Sequence, residues 1–244
     1  MEALSSDESA AAADFSEYAP QRRRTYAAMM RSLDRNVGRI LDTLDRHDLS
    51  DNTIVFFIND NGGATNNGSD NGPLRVMKGS KWEGGIRVPF SVRWPAVIPA
   101  GGSFSHPVSA LDIAATGASQ AGVPTSDLDG VDLIPYLTGG RGGPPHEALF
   151  WRRGVAAAVR SGSWKLIRSS GNPTLLFDLS ADRGEQHDLS SSHPEVVERL
   201  TAMLEAWEAT LAEPGWTEGE RWERNQRLKH RTEVRTREQE RELP

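Results

Sequence analysis

The chain contains no cysteine, which excludes disulfide scaffolds, thiolate metal sites and a cysteine nucleophile, while remaining compatible with any redox compartment. It also lacks an apolar run near the roughly 18–20 residues that cross a bilayer. Its start, Met1 to Ala13, is acidic and Ala/Ser-rich, not basic and then apolar, so neither a membrane span nor a secretion signal is expected in this chain. Positive charge is not in excess: 28 Lys+Arg stand against 34 Asp+Glu, a formal net charge of −6, which argues against a nucleic-acid partner. The hydrophobic fraction is a low 37% of 244 residues. At about 150 residues per domain, that length suits one large domain, or one domain with a smaller partner, with part of the chain outside the core.

What is present is ordered along the chain. From Pro20 to about His47, Tyr26, Met30, Leu33, Val37, Ile40 and Leu44 recur at steps of four and three, the spacing of a helix with one buried face. Thr53 to Ile58 is an unbroken β-branched and aromatic run, as expected of a strand buried on both faces of a parallel sheet. Ile86 to Val92 reads as a second strand, made irregular or an edge by Pro89. Ser109 and Asp112 have capping-box spacing before a helix that runs to Gln120 and stops at Gly122. These elements make an α/β layer. Beyond the breaker cluster Gly139 to Pro145 come short strand-like runs at Val155–Arg160, Trp164–Arg168 and Leu175–Leu179. A second capping box, Ser192 and Glu195, leads into Val196, Leu200, Leu204, Trp207 and Leu211 on one helical face. This reads as a small antiparallel sheet with one helix. From Glu218 onward the chain holds seven acidic and eight basic residues and few large apolar ones, which permits a solvated helix and otherwise predicts a frayed or disordered tail.

Chemistry concentrates between Asn59 and Pro89. A strand that ends in Asp60 and Asn61 delivers two hard oxygen donors suited to Ca²⁺ or Mg²⁺, although Asp-Asn-Gly-Gly is equally a turn sequence. Lys78, Lys81, Glu83 and Arg87, set among Gly79, Gly84 and Gly85, form either a solvated basic loop or a cradle for an anionic substrate. Asn67-Gly68-Ser69 matches a glycosylation sequon, and the surrounding EF-hand-like spacing fails at Lys78, where a glutamate is required. The histidines, His47, His106, His146, His187, His193 and His230, are not paired at metal-ligand spacing and read as structural. Trp82, Trp94, Trp151, Trp164 and Trp207 read as core or interface residues.

The order of fragments carries a resemblance. Asp60-Asn61-Gly62-Gly63, Pro73-Leu74-Arg75, Lys78, Trp82-Glu83-Gly84-Gly85-Ile86-Arg87-Val88-Pro89 and Arg93-Trp94-Pro95 resemble the formylglycine-dependent sulfatases, above all the arylsulfatase and N-acetylgalactosamine-sulfatase group. Downstream, Asp112-Ile113, Asp129 to Leu133, Ala158 to Leu166, Leu176 to Leu179 and Glu185 follow the same pattern. The resemblance implies the C-terminal portion of such an enzyme, with a partial alkaline-phosphatase-like α/β layer over residues 1–144. A small α+β subdomain would follow over 145–212, and a charged tail, helical or disordered, over 213–244.

It further implies that Asp60 and Asn61 ligate Ca²⁺ (or Mg²⁺) as an incomplete ligand set, and that Lys78 hydrogen-bonds a sulfate oxygen. Glu83, Gly84, Gly85 and Arg87 would shape the loop. The family's nucleophile arises from a cysteine or serine followed closely by proline and arginine. No such motif occurs here, so no catalytic nucleophile is expected in this chain, which alone should have little sulfatase activity. The implied substrate is a sulfate ester. Two alternatives stand beside this reading: a non-catalytic remnant or split partner that binds metal or another chain through an uncovered sheet edge, and a phosphoesterase of the same superfamily. The family is mostly exported, which leaves the compartment of this chain open.

Overall fold

A computed structural model describes residues 21–64, 68–216 and 219–231; the sequon at Asn67 lies outside them. The chain opens with helix α1 (Gln21–Arg46) and a 3-10 turn at Ser50–Asn52, followed by strand β1 (Val55–Ile58), a short helix α2 (Glu83–Ile86) and strand β2 (Phe90–Arg93). Helices α3 (Leu111–Gln120) and α4 (Ile134–Leu137) come next. Strands β3 (Leu149–Arg153), β4 (Ala156–Ser161), β5 (Trp164–Ser169) and β6 (Leu175–Asp178) precede α5 (Pro194–Glu208) and α6 (Glu220–Lys229). The architecture is mixed α/β, and no helix among the described residues is long and apolar enough to cross a membrane.

Helix α1 forms where the spacing places it, but its apolar stripe is not buried. Met30, Leu33 and Ile40 are 41%, 45% and 61% exposed, and Ala28 is the fully buried position. Among regular elements the helix packs mainly on the short 3-10 turn, too small to cover seven helical turns. The expected doubly buried parallel strand is likewise corrected. β1 pairs antiparallel with β2, Phe56 opposite Val92, in a two-stranded sheet, and Phe57 is exposed. An unbroken apolar run signals two faces that avoid water, yet it does not say what covers them. The second strand begins only at Phe90. Glu83 to Ile86 coils into one helical turn instead, and Pro89, which has no N–H to give a ladder, immediately precedes the strand.

Half of the Ser109 box forms: Ser109 N–H donates to Asp112 Oδ2 at 2.7 Å, whereas Ser109 Oγ accepts from Leu111 N–H at 3.2 Å and not from Asp112. Asp112, fully buried, also accepts from Val131 N–H at 2.9 Å and lies 2.9 Å from His146 Nε2, so it ties α3 to two later loops. The Ser192 box does not form. Pro194 opens α5, His193 sits at the cap without a side-chain capping bond, and Ser192 Oγ donates back to Leu189 O.

The second half is a β3-β4-β5-β6 antiparallel meander, one strand more than the sequence pattern shows. Both of its faces are covered. Ala157, Val159, Leu166 and Leu176 pack on Leu200 and Leu204 of α5. Ala158, Ile167, Leu175 and Phe177 pack on Trp82, which belongs to the loop before α2. In the charged stretch the helix that its i,i+4 pairs permit does form, as α6, but it is docked and not solvated, with Gln226 and His230 buried and the Trp222 ring against the β3–β4 turn. A Cβ on Gly154 there would fall 2.6 Å from that ring.

Candidate functional site

Three backbone segments are knitted together beyond the end of β1. Gly62 N–H donates to Gly85 O at 3.0 Å, Lys78 N–H donates to Gly63 O at 3.1 Å, and Gly84 N–H donates to Arg75 O at 2.9 Å. Asn71 completes the weave, accepting from Gly63 N–H at 2.8 Å and donating to Gly63 O and Val76 O. The glycines are required by contact. A Cβ on Gly62 would lie 1.8 Å from Gly84 O, and one on Gly85 would lie 2.5 Å from Ser80 O, far inside any tolerated approach. The motif residues separated in sequence thus occupy one place because their backbones touch directly.

The side chains of that place divide into those facing water and those facing inward. Asp60 is exposed and its carboxylate has no hydrogen-bond or ion-pair partner among the described residues. Asn61 donates its amide nitrogen to Gly62 O at 3.0 Å, which leaves the amide oxygen as its outward donor atom. Those two oxygens suit a hard cation in kind, but Ca²⁺ takes about six to eight. No group of three or more carboxylate or imidazole side chains that could hold a metal occurs among the described residues. Lys78 is exposed. Lys81, which the sequence places in the same basic loop, turns inward. Burial first, then the charges of Arg153 and Lys165, push its ammonium pKa down to about 8.

Beneath the loop lies an ion network that sequence reasoning missed. Lys165, fully buried on β5, sits 2.8 Å from Glu83 Oε1 and 2.7 Å from Glu185 Oε1. The Glu185 carboxylate makes this ion pair through Oε1. Glu185 Oε2 accepts from Glu83 N–H at 2.7 Å, at the start of α2. Arg87 and Arg160 approach Glu83 Oε2 at 3.5 and 3.8 Å. Burial raises the Glu83 carboxyl, but Lys165 and the two guanidiniums outweigh it and hold the group below the usual range. Glu185, deeper still, is pushed up by burial and by the neighbouring Glu83 charge against the pull of Lys165. Arg75 stacks over Trp82, 4.0 Å from the ring, and donates to Glu185 O. One signal was readable: Lys165 shares an inward strand face with Ile167 and Ser169, an unusual place for a lysine without a buried partner.

Comparison with known proteins bears on the family and the fold. The family model described as Sulfatase matches residues 3–123. Rat (Rattus norvegicus) steryl-sulfatase is 32% identical over 77% of this chain and 41% of its own length. Dog (Canis lupus familiaris) N-acetylgalactosamine-6-sulfatase is 35% identical over 79% of this chain and 44% of its own. The chain therefore spans about two fifths of the length of these curated relatives. A crystal structure of Ps i-CgsB in complex with k-i-k-neocarrahexaose superposes with a TM-score of 0.79 at 33% identity, covering 93% of this chain and 51% of that one. Both halves described above therefore fall within a single known fold.

Proposed function

The chain belongs to the sulfatase family, and from that premise we propose that its site serves the hydrolysis of sulfate esters, with the nucleophile supplied from outside these 244 residues. The observation that carries the reading is the direct backbone contact of the Asp60–Gly63, Arg75–Lys78 and Glu83–Gly85 segments, which brings motif residues far apart in sequence together. Asp60 and Asn61 would hold a divalent cation, Ca²⁺ or Mg²⁺, through their side-chain oxygens. The ion would supply charge to polarise the sulfate group. Lys78, exposed and tied by its backbone N–H to Gly63 O, would donate a hydrogen bond to a sulfate oxygen and offset charge building on the leaving oxygen. Glu83, Gly84, Gly85 and Arg87 would keep the loop in shape without touching substrate.

Two measurements on the pure 244-residue chain test this. Calorimetry should detect weak Ca²⁺ binding that disappears in Asp60→Ala; binding heats unaffected by that substitution would sink the metal assignment. An aryl sulfate should turn over slowly or not at all. Robust turnover lost on Asp60→Ala would refute the placement of the nucleophile elsewhere.

A second reading, a chain that acts by associating with another polypeptide, draws on the apolar side chains of α1 that stand in water. A protein that elutes as a monomer at every concentration removes it.

A further inference from the structure

Helix α6 reaches back across the chain to the loop that carries Lys78. Trp82 Nε1 donates to Lys229 O at 2.9 Å, Lys229 Nζ donates to Lys78 O at 3.2 Å, and Asn172 Nδ2 donates to Arg227 O at 3.0 Å. At the end of the helix, His230 is almost wholly buried. Its Nδ1 lies 2.7 Å from Gln226 O, an acceptor, so Nδ1 carries the proton. The other nitrogen, Nε2, then presents a lone pair, and Lys81 N–H donates to it at 2.9 Å. The two partners fix one tautomer of a neutral ring.

We propose that α6 is a clamp on the sulfate-contacting loop and that His230 is its latch, a positioning residue that holds Lys81 and, through it, Lys78. Its consequence for sulfate binding rests on the reading of Lys78 given above. The latch works in one charge state. A proton on Nε2 would turn the acceptor into a donor aimed at another donor, and the charged groups around it are all cations: Lys81 on the loop, Lys229 on its own helix and Lys165 on β5. Arg153 on β3 adds a further positive charge beside Lys81 and Lys229. Burial, reinforced by the three lysines, pushes the imidazole down to about 4, so the clamp is closed at neutral pH and opens under acid.

Amide hydrogen exchange on the full chain, followed by nuclear magnetic resonance from about pH 7 down to about pH 4, tests this. The long-range nitrogen spectrum should show His230 as the Nδ1–H tautomer. In His230→Ala the Lys81 and Lys78 amides should exchange about tenfold faster, the factor a lost hydrogen bond of ordinary strength produces, while Leu166 and Leu176 in the meander stay protected. His230→Gln, whose amide oxygen can accept from Lys81 but does not titrate, should restore protection and abolish its pH dependence. A Lys78 amide indifferent to His230→Ala, or a His230→Gln profile that still follows the wild-type acid transition, would overturn the proposal. If His230→Ala unfolds the chain, the His230→Gln profile decides alone. None of these readouts involves Ca²⁺ or turnover, so the clamp and the sulfatase reading fail separately.

Discussion

Lys165 Nζ lies 2.8 Å from Glu83 Oε1, with both side chains essentially sealed from water. Glu185 stands on the other side of the same ammonium. The cation therefore joins a strand of the meander to α2 and to a distant loop. Removing it leaves two carboxylates facing each other in the interior. Lys165→Met keeps the bulk and deletes the charge, and should cost about 3–5 kcal/mol, the usual penalty for breaking a buried pair from one side. Urea unfolding reads this as a lower midpoint at constant slope, and an unchanged midpoint would show that the network contributes little.

The glycine contact at the site gives a sharper local test. Gly62→Ala must separate the Asp60–Gly63 turn from α2, because the new methyl would fall 1.8 Å from Gly84 O. A cost of about 1–3 kcal/mol or more is expected, together with loss of Ca²⁺ binding. Gly117→Ala, in the middle of α3 with nothing within 4 Å of the added carbon, should instead be neutral or stabilising by up to about 1 kcal/mol. Thermal melts of the two variants should move in opposite directions.

The sequence made the local elements legible wherever local chemistry decides them. The helical spacing around Leu200 and Leu204 and the bond from Ser109 N–H to the Asp112 carboxylate were readable because the partners lie within a turn of each other. The Ser192 box failed for a local reason as well, since Pro194 fixes the start of α5 one residue too late for it. What could not be read depends on remote partners. Lys165, Glu185 and His230 carry charge or polarity that predicts solvent, and only the fold supplies the carboxylate, cation or backbone N–H that makes burial tolerable. The site itself was legible as an order of fragments, but nothing in that order reveals that Gly62 and Gly85 share a hydrogen bond.

Acid should weaken the fold through His230. Its folded pKa, about 4, lies below the ordinary value of 6.5, so between those two pH values the unfolded chain binds a proton that the folded one refuses. The stabilisation is complete above about pH 6.5, is lost as pH falls toward 4, and is on the order of 3 kcal/mol. Lys81, pushed down to about 8 from 10.5, has the same sign in an alkaline window, where stability should climb as pH rises from 8 to 10.5. Subtracting the unfolding free energies of His230→Gln and Lys81→Met from that of the wild type at each pH isolates the two contributions. A flat difference in either window would contradict the corresponding burial.

Asp60 should behave oppositely to these buried groups. Its carboxylate is exposed and unpaired among the described residues, so Asp60→Ala should change stability by no more than about 0.5 kcal/mol, as surface substitutions do. The same variant should lose the Ca²⁺ binding heat. A large destabilisation would mean that the residue serves the turn rather than a ligand.

The face of α1 yields the last test. Leu33 and Ile40 are 45% and 61% exposed, and side chains so placed gain little from folding the chain on its own. Changing both to glutamine should leave the urea midpoint within the shift that about 0.5 kcal/mol produces, whereas glutamine at a buried leucine such as Leu200 would cost several times more. If the stripe is a surface for association, the same pair of changes should also move the elution volume toward the monomer at high protein concentration. A large loss of stability in the double variant would show that the stripe is covered within the chain, and it would remove the reason for expecting a partner there.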